Sequence, residues 1–200
     1  MMSEEKGKKK WAIGFYKVLL LLAVMIPLQG LIMYRIFVEL EKSRLISMSL
    51  ACQKTVKKIN TAQKVYFSKY QRFANSVEAL QISFTKNSKP FHRYGIKMSH
   101  TAVLNYGIYR QPPPDEITEK LLEWYPTNLK KPPRQNYLGI VVALPNSEVN
   151  PDATKPEEML PVSVLCESPS ADAVLAALSA EPIVQNGNIE CPEGMKNLGQ

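Results

Sequence analysis

The apolar positions of this chain are distributed very unevenly, and their spacing defines most of its elements. Residues 18–34 read VLLLLAVMIPLQGLIMY, seventeen positions without a charged side chain. That length is at the lower limit for spanning a hydrocarbon core of about 30 Å. Trp11 and Tyr16 precede the run and Tyr34 closes it, where aromatic side chains suit the two faces of a bilayer. Lys17 can reach back towards the headgroups. From Arg35 to Gln71 neither Pro nor Gly interrupts the chain, and these are the strongest helix breakers. Apolar residues recur there in steps of three and four: Leu45, Met48, Cys52, Val56, Ile59, Ala62, Tyr66, Tyr70 and Phe73. That period predicts a helix with one apolar face and an opposite face of lysines and glutamines. Together the two patterns predict one long helix over 15–71, with a membrane part at 18–34 and a length of roughly 85 Å at about 1.5 Å per residue. Pro27 and Gly30 predict a kink or local loosening inside the membrane part.

Past the helix the period changes. Asn75-Ser-Val-Glu78 has the form of a capping box that opens a short helical turn through Leu80. Four segments, 92–99, 102–109, 137–144 and 161–167, have the composition of strands. Between the second and third lies a proline-rich stretch, with QPPPD at 111–115 and KKPPR at 130–134, whose middle, 117–124, suits a short helix. Residues 145–160 read as an exposed acidic loop, and residues 172–180 as another short helix. The expected architecture is α+β: an antiparallel sheet laid over the outer half of the long helix, with residues 72–200 forming a head.

Charge adds direction. Residues 1–60 hold eleven Lys and Arg against four Asp and Glu, residues 61–140 twelve against five, and residues 141–200 two against nine. Lys6, Lys8, Lys9 and Lys10 stand ahead of the apolar run. The positive-inside bias therefore keeps residues 1–14 cytoplasmic as a basic leader and sends everything after residue 35 outside. A cleaved secretory signal is disfavoured, because RIFVELEKSR after Tyr34 offers no small-x-small site. The basic middle reads as a solvated face. A nucleic-acid partner is not favoured, since aromatic residues are not interleaved among clustered Arg and Lys.

The three cysteines are Cys52, Cys166 and Cys191, and the only histidines are His92 and His100. No CxxC pair exists, so zinc-ligand spacing is absent. A Cys166–Cys191 disulfide would close a loop of about 25 residues and stabilise by roughly 3 kcal/mol in the chain-entropy model, which suits an oxidising compartment. Cys52 falls on the apolar stripe and reads as a buried thiol acting as a small hydrophobe. No nucleophile elbow, phosphate loop or metal cluster is present, and no cofactor is indicated. Asp115, Glu116 and Glu119, beside three prolines, read as a solvated loop and helix start. Catalysis is not expected.

The stretch Ile59-Asn-Thr-Ala-Gln-Lys-Val-Tyr-Phe, followed by Arg72-Phe-Ala-Asn-Ser-Val-Glu-Ala-Leu80, resembles cyanobacterial type IV pilin-like proteins of the general secretion pathway G/H-like kind. The C-terminal YLGIVVAL, VSVLCES and Glu190-Cys191-Pro192 resemble them too. The resemblance covers roughly 45–110 and 136–195. It implies a basic leader cut after a glycine by a prepilin peptidase, and Gly14-Phe15 stands where that junction would be. It also implies a glutamate at the fifth position after the cut, which pairs with the terminal amine of a neighbouring subunit. Here that position is Leu19, and the third is Lys17 where an apolar residue is usual. The expected function is therefore that of a minor or divergent pilin-like subunit in the inner membrane or in a pilus. Its partners would be lipid, other pilin-like subunits through the N-terminal helix, and prepilin peptidase. The alternative is a single-pass anchored binding protein that keeps the head and does not assemble.

Overall fold

A computed structural model describes residues 2–83, 92–110 and 135–199 of the chain; within the first helix, the side chains of residues 2–22, 24, 26, 27, 38, 41 and 45 lie outside that description. The chain divides into two compact units, Met1–Arg44 and Leu45–Gln200.

Helix α1 runs Met2–Tyr70, so residues 2–14 of the segment expected to be a leader share the helix. The helical run passes through Pro27 and Gly30 without interruption. Among the described residues no helix is long and apolar enough to cross a membrane. Within the span expected at 18–34, the side chains of residues 18–22, 24, 26 and 27 lie outside the description. The helix ends where the sequence predicts: Gln71 adopts a left-handed conformation (φ 53°) and its N–H returns to the Phe67 carbonyl at 2.7 Å, a turn that satisfies one of the orphan carbonyls of a helix end.

The second unit, 45–200, is the α+β head. Strands β1 (His92–Met98), β2 (Ala102–Tyr109), β3 (Asn136–Pro145) and β4 (Met159–Ser168) match the predicted segments to within two residues. With the short C-terminal β7 (Lys196–Asn197) they form one antiparallel sheet in the order β1-β2-β3-β4-β7. A single turn, α2 (Asn146–Val149), starts the β3–β4 connection. Helix α3 (Ala171–Ala177) follows β4, with the Ser170 hydroxyl accepting from Ala173 N–H at its start. Strands β5 (Val184–Gln185) and β6 (Asn188–Ile189) make a separate hairpin.

Register decides which side chains face which way. Asn105, Gly139 and Leu165 lie in one row across β2, β3 and β4, and Leu104, Ile140 and Val164 in the next. Side chains alternate across a strand, so the first row faces α1 and the second faces away. On the α1 side Cys52 and Val56 pack with Tyr137 and Leu165. On the other side Leu104, Leu138, Ile140, Val142 and Val164 pack with Val174, Ala177, Leu178 and Ile189. The sheet is therefore buried on both faces, and this is why YLGIVVAL in β3 is an unbroken apolar run rather than an alternating one.

Two expectations shift in detail. The turn after α1 is capped by Ser76, whose hydroxyl accepts from Ala79 N–H, and not by Asn75; its backbone bonds run from Leu80 to Val77 and from Gln81 to Glu78, the tight i→i+3 spacing. The short helix expected at 117–124 lies outside the described residues, as do Asp115, Glu116 and Glu119.

Candidate functional site

The apolar face of α1 beds into the sheet through a small set of residues. Cys52, Val56, Ile59, Asn60, Gln63 and Phe67 are buried, whereas Ala62 and Tyr66 are only partly covered and Tyr70 is exposed. The stripe predicted from apolar spacing therefore drifts off the true face after Ile59. The true face continues through Asn60 and Gln63, polar residues at helical spacing that an apolar count places on the opposite, solvated side.

Both have partners that justify burial. Asn60 Nδ2 donates to the Val164 carbonyl at 3.1 Å, and Asn60 Oδ1 accepts from Asn105 Nδ2 at 2.9 Å. Gln63 makes a two-point contact with one residue of the turn beyond the helix: its Nε2 donates to Ala74 O at 2.8 Å and its Oε1 accepts from Ala74 N–H at 2.9 Å. The Phe67 and Phe73 rings, 4.8 Å apart, close the same reversal. A buried amide with its bonds made is tolerated, and one without them is costly.

The sheet makes room for the helix at two glycines. A Cβ at Gly107 would lie 2.5 Å from Cys52 Sγ, and one at Gly139 would lie 2.1 Å from Asn60 Oδ1. Gly139→Ala must therefore displace Asn60 from Val164 and Asn105. The expected loss is about 1–3 kcal/mol. In a cycle with Asn60→Ala, which removes the obstruction, the two losses are expected to be less than additive; chemical denaturation of the four proteins reads this.

Hydroxyls and titratable groups extend the seat towards the start of the head. Ser49 Oγ and Tyr137 OH lie 2.6 Å apart, and Tyr137 OH also donates to Glu167 Oε1 at 3.1 Å. Burial pushes the Tyr137 phenol up to about 12 and the Tyr94 phenol up as well. Burial likewise pushes the Cys52 thiol up to about 12, so it stays a neutral thiol at physiological pH and behaves as a small packing group rather than a nucleophile.

His92, at the start of the edge strand β1, is buried, with its ring against Tyr109 at 5.4 Å. Burial lowers its pKa to about 4, from about 6.5 in an unfolded chain. Between those values the unfolded chain binds the extra proton and the folded one does not, so stability falls as pH drops from about 6.5 towards 4 and levels off below. His92→Gln is expected to flatten that part of the stability curve, as read by denaturation midpoints across pH 4–7.

Cys166 and Cys191 are joined, with Cα atoms 5.7 Å apart, and enclose α3 and the β5–β6 hairpin in their loop. Their disulfide belongs to the face of the sheet turned away from α1. Among the described residues no three His, Cys, Asp or Glu side chains come together in a way that could hold a metal ion. Gly30 is exposed with open space around it. The side chains of Phe15, Lys17, Leu19 and Pro27, and the surroundings of Gly14, lie outside the description.

A helical spine seated on the antiparallel meander β1 to β4, with a disulfide-closed C-terminal segment behind, makes up the head. The chain belongs to the type IV pilin-like G and H family, whose model matches residues 51–192. That match covers the seat from Cys52 onward, strands β1 to β4 and both disulfide cysteines. Searches of curated proteins and of solved structures return no match.

Proposed function

We propose that the protein is a membrane-anchored structural subunit, minor or divergent, of a type IV pilus or a related secretion machine. Family membership supports the subunit role, and with it contact with other pilin-like subunits through α1. The observation that carries the anchor is the state of the helix ahead of the head. Leu28, Leu31, Ile32, Met33, Phe37 and Leu40 are all exposed, and a contiguous apolar surface of that kind belongs against lipid or other helices. The apolar stretch thus continues past Tyr34 to Leu40, broken by Arg35 and Glu39. In this reading Lys6, Lys8, Lys9 and Lys10 hold the N-terminus on the cytoplasmic side of the inner membrane. The head lies outside it, where the Cys166–Cys191 disulfide is stable. The role is mechanical and needs no catalytic step or cofactor.

Processing by prepilin peptidase between Gly14 and Phe15 is part of the proposal. Leu19 favours a second reading, an anchored protein that does not polymerise, because no carboxylate is present to pair with a neighbour's amine inside the apolar layer. One measurement separates the two: the N-terminal residue of membrane-extracted protein, by intact mass and terminal sequencing, with and without the peptidase. A chain starting at Phe15 only when the enzyme is present supports the assembling subunit. A chain that keeps residues 1–14 in both cases overturns it in favour of the permanent anchor.

A further inference from the structure

The head carries two surfaces of opposite sign that do not meet within one copy. The outer face of α1, turned away from the sheet, and residues 80–83 form an open groove of about 590 Å³. Lys54, Lys57 and Lys58 wall it, and Ala62, Leu80 and Ile82 line its apolar floor. Lys58 Nζ donates to the Ser83 carbonyl at 3.1 Å, which fixes one wall of the groove to the segment opposite.

The β3–β4 connection is the counterpart. Residues 146–158 carry Glu148, Asp152, Glu157 and Glu158 against a single Lys155, and all five side chains are exposed. The connection has a set shape. Asn146 N–H bonds Glu158 O at 2.7 Å, Ser147 N–H bonds Pro156 O at 3.1 Å, and Asn150 N–H bonds Asn146 O at 2.7 Å. Exposed Val149 and Met159 stand among the carboxylates. Among the described residues none of the four carboxylates makes an ion pair with Lys54 or Lys58.

We propose that the acidic β3–β4 connection of one copy docks in the lysine groove of a second copy. The carboxylates meet the ammonium groups of the walls, and Val149 or Met159 covers the apolar floor. Docked head to tail, each copy still offers a free groove and a free acidic connection, so association continues past two copies. A connection already held in shape loses little freedom on docking. The proposal rests on the subunit reading above, and it gives the heads a contact that does not depend on a carboxylate at position 19.

The test uses the full chain in detergent, with self-association measured by sedimentation velocity. One variant reverses the groove (Lys54→Glu with Lys58→Glu), and another reverses the connection (Glu148→Lys with Glu157→Lys). Each alone places like charges together and is expected to weaken self-association by about tenfold or more. Mixing the two variants restores complementary pairs and is expected to recover the unmodified behaviour. About 0.5 M salt is expected to weaken the unmodified contact, since exposed charges are screened. Absence of self-association in the unmodified chain, unchanged association in both variants, or failure of the mixture to recover overturns the docking. N-terminal processing is scored on the same samples. A chain processed at Phe15 whose association ignores the charges refutes the docking and leaves the subunit reading standing. A chain that is never processed removes the assembling subunit itself.

Discussion

Replacing both Cys166 and Cys191 with serine is expected to lower the stability of the head by about 2–5 kcal/mol. The bridge joins positions 25 residues apart, so its loss frees a loop of that length in the unfolded chain. It also loosens a face of the core, because Val174, Ala177, Leu178 and Ile189 all lie within or beside that loop and cover Leu138, Ile140 and Val164. Denaturant midpoints with and without a reducing agent measure the effect in the unsubstituted protein. The Cys-to-Ser pair should match the reduced form and be insensitive to reductant. The seat of α1 lies on the opposite face, so the helix side of the sheet is expected to keep its tyrosine near-ultraviolet dichroism at temperatures where the reduced protein is still folded. Equal stability of the oxidised and reduced protein would show that the loop is held by packing alone.

Gln63→Leu is expected to cost about 2–5 kcal/mol. The substitution keeps the size and apolar surface but strands two buried backbone groups, the N–H and the carbonyl of Ala74, each costing about 1–3 kcal/mol when left unpaired. Gln63→Glu tests the two-point geometry itself. The ionised carboxylate can still accept from Ala74 N–H but has no proton to give Ala74 O, whereas the protonated acid reproduces the amide. The folded state thus raises the pKa of Glu at that position above its unfolded value of about 4.3. Its stability is expected to be near that of the parent below that pH and to fall as pH rises through the raised folded value. A stability–pH curve parallel to that of the parent would mean that Gln63 acts only as a spacer.

These two sites differ in how far they could be read before the fold was known. The Cys166–Cys191 pair was legible from spacing and from the absence of any competing metal motif. The four main strands were legible from their β-branched and aromatic content and from the turn residues between them. The seat was not. Asn60 and Gln63 look like surface residues to any rule that separates apolar from polar. Their burial depends on partners far along the chain, the Val164 carbonyl, Asn105 and Ala74, which no local window contains. They do fall inside the stretch Ile59-Asn-Thr-Ala-Gln that carries the family likeness, and the structure supplies the physical reason for two of its members: one anchors the helix to the sheet and the other anchors the turn to the helix. The glycines opposite, Gly107 and Gly139, make sense only once α1 lies across them. The hairpin of β5 and β6 had a local signal that the spacing of longer strands obscured: Asn186 and Gly187, both at positive φ, are the preferred pair for a two-residue hairpin turn. The covering of the far face by α3 and that hairpin could not be inferred from strand composition alone, although the unbroken apolar run of β3 already implied two covered faces.

The arrangement of covalent and non-covalent ties around the sheet also has a mechanical consequence. Tension applied along α1 enters the sheet through Asn60 and the apolar contacts of Cys52 and Val56, each weak by itself. The disulfide lies behind the sheet and does not bridge the helix to anything, so it bears no part of that tension while the seat holds.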